Sequence, residues 1–192
     1  MRKILPVLLV IILLGACSMP ETQIFSLKVP DWKDSPRSKS EMSVAVLVNS
    51  PRYLTQPYIA SRTSPYQLLI SRYAKWDAAP DEMVRQAFSD SLASSGLFRN
   101  VRASNVVPGG FYTLKIHLRQ FDRIDEGDAS FGELAFSATL LSPEGKDLYH
   151  GAFTRKVKLE NRNFSGLAKA LSSALSEGME EVRTNIEKSL KK

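Results

Sequence analysis

From Phe111 to Leu159 the chain alternates. Tyr112, Leu114, Ile116 and Leu118 fall on one side of an extended backbone, and Thr113, Lys115, His117 and Arg119 fall on the other. A period of two marks a half-buried β-strand and does not fit the repeat of a helix. A second run, Phe131 to Leu141, follows an acidic stretch from Asp122 to Asp128 that reads as a turn. A third, Asp147 to Leu159, follows the turn signal Pro143-Glu144-Gly145. Three strands joined in succession by short loops pair as an antiparallel meander. A sheet with one apolar face must cover it, so this stretch obliges the rest of the chain to supply a second layer.

Two segments with helical periodicity meet that need. Pro80 suits the first turn of a helix, Asp81 and Glu82 stand where the aligned peptide dipoles favour anions, and Gly96 is placed to stop it. Within it Val84, Ala87, Phe88 and Leu92 share a face. A longer segment, Ser165 to Ser189, carries an apolar stripe of Leu167, Leu171, Ala174, Leu175, Val182 and Ile186. Shorter strands are expected at Gln23 to Leu27, at Met42 to Val48 and at Tyr66 to Tyr73, set apart by a Pro- and Ser-punctuated loop over 28–43 and by Pro51 and Pro57. The expectation is an α+β fold, a mainly antiparallel sheet of about five strands with two amphipathic helices packed on one face. With 192 residues, 43% of them hydrophobic, there is material for one such domain and no sign of a disordered chain.

The amino terminus belongs to neither layer. Arg2 and Lys3 precede an apolar run of 11 residues, Ile4 to Leu14. As a helix that run covers about 16 Å, half of the roughly 30 Å hydrocarbon core of a bilayer, so it reads as a secretory leader and not a span. It ends in Leu14-Gly15-Ala16-Cys17, which resembles the lipobox of bacterial lipoproteins. Cys17 is the sole cysteine, which excludes an intramolecular disulfide and a cysteine-based zinc cluster. The resemblance implies cleavage after residue 16, a diacylglycerol in thioether linkage on the Cys17 sulfur and an N-acyl chain on the new terminus. Several acyl chains hold where one would be marginal. Residue 18 is Ser, not the Asp that retains such lipoproteins at the inner membrane, so the resemblance points to the periplasmic face of the outer membrane. The expected division is a signal peptide over 1–16, a lipid anchor with a short strand and linker over 17–43, and a single α+β domain over 44–192. Loss of Arg2 and Lys3 takes the cations from 26 to 24 against 20 acidic residues, and the net charge from +6 to +4. For an exported lipoprotein this modest basicity points to anionic headgroups or an acidic protein face, and not to nucleic acid.

Catalytic signatures are missing. The sequence holds no G-x-x-x-x-G-K-[ST] phosphate loop and no G-x-S-x-G elbow, and its one thiol is the one expected to be acylated. His117 and His150 read as surface or structural residues. Asp122, Asp125, Glu126 and Asp128 lack the D-x-D-x-D-G spacing of a calcium loop and read as solvated turn carboxylates. The chain is expected to be no enzyme and to hold no metal and no cofactor beyond its acyl groups.

The informative stretch is residues 44–101. Val44-Ala45-Val46-Leu47-Val48 is followed by Pro51-Arg52-Tyr53-Leu54-Thr55-Gln56-Pro57-Tyr58-Ile59-Ala60-Ser61-Arg62. Then come Tyr66-Gln67-Leu68, Tyr73-Ala74-Lys75-Trp76, and the Pro80 helix with Leu92. In its strand, its P-x-Y-L-x-x-P-x-I-x-x-R segment and its Trp ahead of a Pro-started helix, this resembles the ABC-type transport auxiliary lipoprotein family. That group includes the lipoprotein of the paraquat-inducible intermembrane transport system. Asn49 and Ser50 depart from the small Gly or Pro residues of that pattern. The resemblance implies an outer-membrane subunit that works with an MCE-domain periplasmic protein and an ABC transporter in lipid traffic, tethering the conduit, with a homo-oligomer as a further expectation. The alternative is a stand-alone periplasmic lipid-binding lipoprotein. Residues 42–76 carry Arg52, Arg62, Arg72 and Lys75 and no acidic residue. Arg52, Tyr53, Leu54, Arg62 and Trp76 are therefore candidate contacts to a partner or to phospholipid headgroups. The same apolar residues also suit the core.

Overall fold

The longest strand organises the sheet. The computed structural model describes residues 21–30 and 40–191; the leader, Cys17 and residues 31–39 of the linker lie outside them. In chain order the described elements are β1 (Gln23–Phe25), β2 (Ser43–Asn49), a 3-10 turn (Arg52–Leu54), β3 (Tyr58–Ser64), β4 (Gln67–Trp76), α1 (Pro80–Ser95), β5 (Asn100–Ala103), β6 (Tyr112–Glu126), β7 (Ala129–Leu141), β8 (Asp147–Lys158) and α2 (Phe164–Leu190). Along one edge β6 pairs with β7 over nearly its whole length. Along the other it serves two partners in turn: β2 against Tyr112 to His117, then β3 against Arg123 and Ile124. The sheet therefore branches at β6, with β2 and β5 in one arm and β3, β4 and β1 in the other.

This overturns the expected five-stranded, mainly antiparallel sheet. Eight strands join, and four of their pairings (β1 with β4, β2 with β5, β2 with β6, β3 with β6) are parallel. The continuous apolar run Val44 to Val48 belongs to a strand flanked on both sides by parallel neighbours, where a one-face alternation is not required. β3 went unseen because Pro57 and Pro65 frame it and its polar residues mask the alternation. β5, four residues at the sheet edge, is too short and too exposed to show a period.

The acidic stretch is not a turn either. β6 runs on to Glu126, and the loop to β7 is Gly127-Asp128 alone, with Gly127 at φ +55°, a backbone region open to glycine in the first position of a two-residue hairpin. A bulge at Arg119, between the pairs Leu118–Phe136 and Gln120–Ala135, shifts the phase of β6. Leu114, Ile116 and Leu118 point into the core before it, and Phe121 after it. Asp122, next in sequence, is thereby turned to the opposite face.

Both helices cover the same face. α1 starts at Pro80 and ends at Gly96, whose φ of +70° is the left-handed cap, and it buries Val84, Phe88 and Leu92. α2 is capped by the Asn163 side chain, which accepts from the Gly166 N–H at 2.8 Å, and buries Leu167, Leu171, Leu175, Met179, Val182 and Ile186. Phe136 of β7 meets both layers. Phe88 of α1 lies edge-on to it at 5.5 Å, and Gly178 of α2 sits so close that a Cβ there would stand 2.8 Å from the ring. Gly132 lets α2 approach in the same way, with Ala170 Cβ 3.1 Å from where its own Cβ would be.

Candidate functional site at the branch of the sheet

Between the β2 and β3 pairings the free edge of β6 is filled by the 3-10 turn. Pro51, at φ −59°, sets the chain's direction into it, and its carbonyl accepts from the Leu54 N–H at 2.9 Å; the Arg52 carbonyl accepts from the Thr55 hydroxyl at 2.9 Å. This seats Leu54 fully inside the core. It aims Tyr53 the other way, where its hydroxyl donates to Asp122 Oδ2 at 3.2 Å and, at 3.4 Å, to the carbonyl of Arg119 at the bulge. From β3, Arg62 Nε donates to the same Oδ2 at 2.7 Å, and its guanidinium lies 5.7 Å from the Tyr53 ring centre.

Asp122 is the centre of this cluster and has an exposure of 0%. Its Oδ1 is buried with no hydrogen-bond partner among the described residues. Burial and the neighbouring Asp122 charge push the Tyr53 phenol up to about 12, so the hydroxyl stays protonated as a donor. The hydrogen bond to Asp122 likewise raises Arg62, which stays charged. On the core side Trp76 stands edge-on to Phe121 at 5.4 Å, and its backbone N–H donates to the Pro57 carbonyl at 3.0 Å.

The structure thus brings four of the five sequence-predicted contact residues to one place but turns them inward. Leu54 and Trp76 are buried, Arg62 is engaged by Asp122, and Tyr53 is half-buried against the same carboxylate. Arg52 stays exposed and forms no ion pair among the described residues. Asp122 itself was missed. Its signal was there: a lone acid between Phe121 and Ile124, with no glycine or proline until Gly127, in a stretch that could continue the strand.

His117 is exposed on β6, and His150 Nδ1 lies 2.9 Å from the Thr139 hydroxyl on the exposed side of β8. Asp125 pairs with Arg123 Nε at 2.9 Å and accepts from the Ser130 hydroxyl; Arg162 Nε donates to that same hydroxyl at 3.2 Å. Of the acids weighed as ligands, Asp122 and Asp125 are tied to arginines and Glu126 to Lys156, and no cluster of three His, Cys, Asp or Glu suited to a metal occurs among the described residues.

The model of the ABC-type transport auxiliary lipoprotein component matches residues 25–182. The chain belongs to this family. The family match spans both arms of the sheet, the branch and most of α2. No curated protein sequence matches the chain. Among solved structures, protein XCC0632 from Xanthomonas campestris, a DUF330 protein, shares the fold with a TM-score of 0.72 at 18% identity, over 88% of this chain and all of that one. An uncharacterized protein of known structure does so with 0.69 at 17% identity, over 86% and 99%. As a member of a transport auxiliary lipoprotein family the chain is a membrane-anchored accessory component. No helix among the described residues is long and apolar enough to cross a membrane.

Proposed function

We propose that this family member is a non-enzymatic subunit held on the periplasmic face of the outer membrane by the acylated Cys17. There it docks an ABC-type intermembrane lipid transport system through an MCE-domain periplasmic protein. The carrying observation is the family match over 25–182, which covers nearly the whole folded part of the chain. The lipobox ending at Cys17 supports the anchor, and Ser18 supports the outer membrane. The branch then has a mechanical use. Tyr53, Leu54, Arg62 and Trp76 hold the arms of the sheet in register, and Arg52 remains on the surface as the cation of the 3-10 turn, placed to meet an acidic partner face.

A photo-crosslinker at Arg52 in the full-length acylated chain, in cells, tests this. The expected product is an adduct with the MCE-domain protein in the outer-membrane fraction. Adducts with phospholipid alone, together with phospholipid that survives purification of the protein, would favour the stand-alone lipid-binding alternative. Sedimentation with the inner membrane would remove the outer-membrane assignment.

A further inference from the structure

Six of the eight exposed large apolar side chains among the described residues lie on β1, on β3 and β4, or on the turn between them. Tyr66, in the turn, is 98% exposed, and Leu69, Ile70 and Tyr73 of β4 are each between 41% and 45%. A concentration of this kind along one edge of the sheet marks a contact surface. Leu69 and Ile70 are adjacent on a strand, paired with Ser61 and Ala60, and so point to opposite faces. The strand that follows the turn therefore carries an exposed apolar side chain on each face. A protein partner laid against a sheet covers one side, whereas a bilayer surrounds what enters it. Arg72 and Lys75 flank these residues, neither forms an ion pair among the described residues, and no acid occurs from 42 to 76.

The anchor points the same way. β1 pairs in parallel with the end of β4, Gln23 beside Ala74 and Phe25 beside Trp76. The chain therefore enters β1 from the side on which β4 begins, toward Tyr66. Cys17 lies six residues before Gln23, a reach of at most about 20 Å, while β4 from Ala74 back to Tyr66 covers about 26 Å. A bilayer holding the acyl chains of Cys17 lies within reach of the hairpin end.

We propose that the β3–β4 hairpin is a membrane-docking element, seating Tyr66, Leu69, Ile70 and Tyr73 in the interfacial layer of an anionic bilayer with Arg72 and Lys75 on headgroup phosphates. The orientation rests on the acylation of Cys17 proposed above. The test uses the full acylated chain in vesicles of phosphatidylethanolamine with about a quarter phosphatidylglycerol. Acylation of Cys17 leaves the thiol of Tyr66→Cys, or of Glu144→Cys in the β7–β8 turn as control, as the single site for a nitroxide label. The ratio of oxygen to nickel-chelate collision at Tyr66→Cys should exceed that at Glu144→Cys by at least about fivefold, and Arg72→Glu with Lys75→Glu should lower it. Equal aqueous accessibility at both sites overturns the proposal. So does a Tyr66→Cys label shielded from both reagents, which would mean burial against a second copy. A thiol-reactive, unacylated Cys17, seen by intact mass and by labelling of the unsubstituted chain, instead removes the anchor and the orientation with it.

Discussion

Replacing Arg62 with Met isolates what the branch cluster contributes. The Asp122 carboxylate is fully buried and receives Arg62 Nε at 2.7 Å and the Tyr53 hydroxyl at 3.2 Å on one oxygen, with no partner for the other among the described residues. Met keeps much of the aliphatic volume but leaves a buried anion with one neutral donor. Breaking a fully buried pair in this way costs about 3–5 kcal/mol. The Arg62 side chain is 25% exposed, so part of the charge is already screened and about 2–3 kcal/mol is expected. Asp122→Asn removes the charge and keeps the shape, and should cost less, about 1–2 kcal/mol, because the arginine left behind can turn to water. If the pair is the seam between the arms, the double variant falls short of the sum of the singles by about 1–2 kcal/mol. Urea unfolding of the mature chain carrying Cys17→Ser, followed by circular dichroism, measures all three. The reasoning is refuted if Arg62→Met shifts stability by less than about 0.5 kcal/mol at an unchanged denaturant slope, or if the two singles add within that margin.

Gly178→Ala should destabilise the protein despite the better helix propensity of Ala. The new Cβ would stand 2.8 Å from Phe136 and 3.1 Å from Phe153, so overpacking of about 1–3 kcal/mol outweighs a gain of about 1. Thermal unfolding should show a lower midpoint, recovered in part by adding Phe136→Leu. The Tyr53 phenol, raised to about 12 by burial and then by Asp122, favours its neutral form in the fold. Its stabilisation is therefore whole below pH of about 10 and lost as pH climbs through the raised value. Two units amount to about 2.7 kcal/mol at most, and screening at this half-exposed site brings that to about 1; Tyr53→Phe should flatten the loss between those pH values in unfolding measurements. Arg52→Glu should leave the unfolding midpoint unchanged while weakening the crosslink to the MCE-domain protein, since the Arg52 side chain forms no hydrogen bond or ion pair among the described residues and its carbonyl bond to Thr55 survives the change.

Both helices were legible because their limits are written in residue types that act locally: Pro80 and Gly96 at the ends of α1, and leucines four apart along α2. The first half of β6 was legible for the same reason. What escaped depends on distant partners. Asp122 looks like a turn residue until Arg62, sixty positions earlier in the chain, is brought beside it. Tyr53, Leu54 and Trp76 were singled out as contacts, and the residue types alone do not say that a 3-10 turn between two prolines carries Leu54 and Tyr53 to opposite sides. Parallel pairing escaped because alternation reports which face a side chain takes and is silent on which strand lies alongside. Arg72 and Lys75 were noticed as charge, but the apolar residues around them gained meaning only once β1 placed the amino-terminal side of the chain next to β4.

The bulge at Arg119 predicts how β6 tolerates change. A record of every substitution along the strand, scored for folded protein, would not show one unbroken rhythm. Sensitive positions would fall on even numbers through Leu118, pause at Arg119 and Gln120, and resume on the odd number of Phe121, with Asp122 as an added sensitive site out of step with its neighbours. Deleting Arg119 would remove the pause and leave every pair of β6 with β7 in place, since Phe121 would then follow Leu118 by two positions and keep to the core face, with Asp122 opposite. A single-residue deletion inside this long strand should then be tolerated far better at Arg119, where it removes the carbonyl that receives Tyr53, than at Ile116, where it would put the two halves of the strand out of phase.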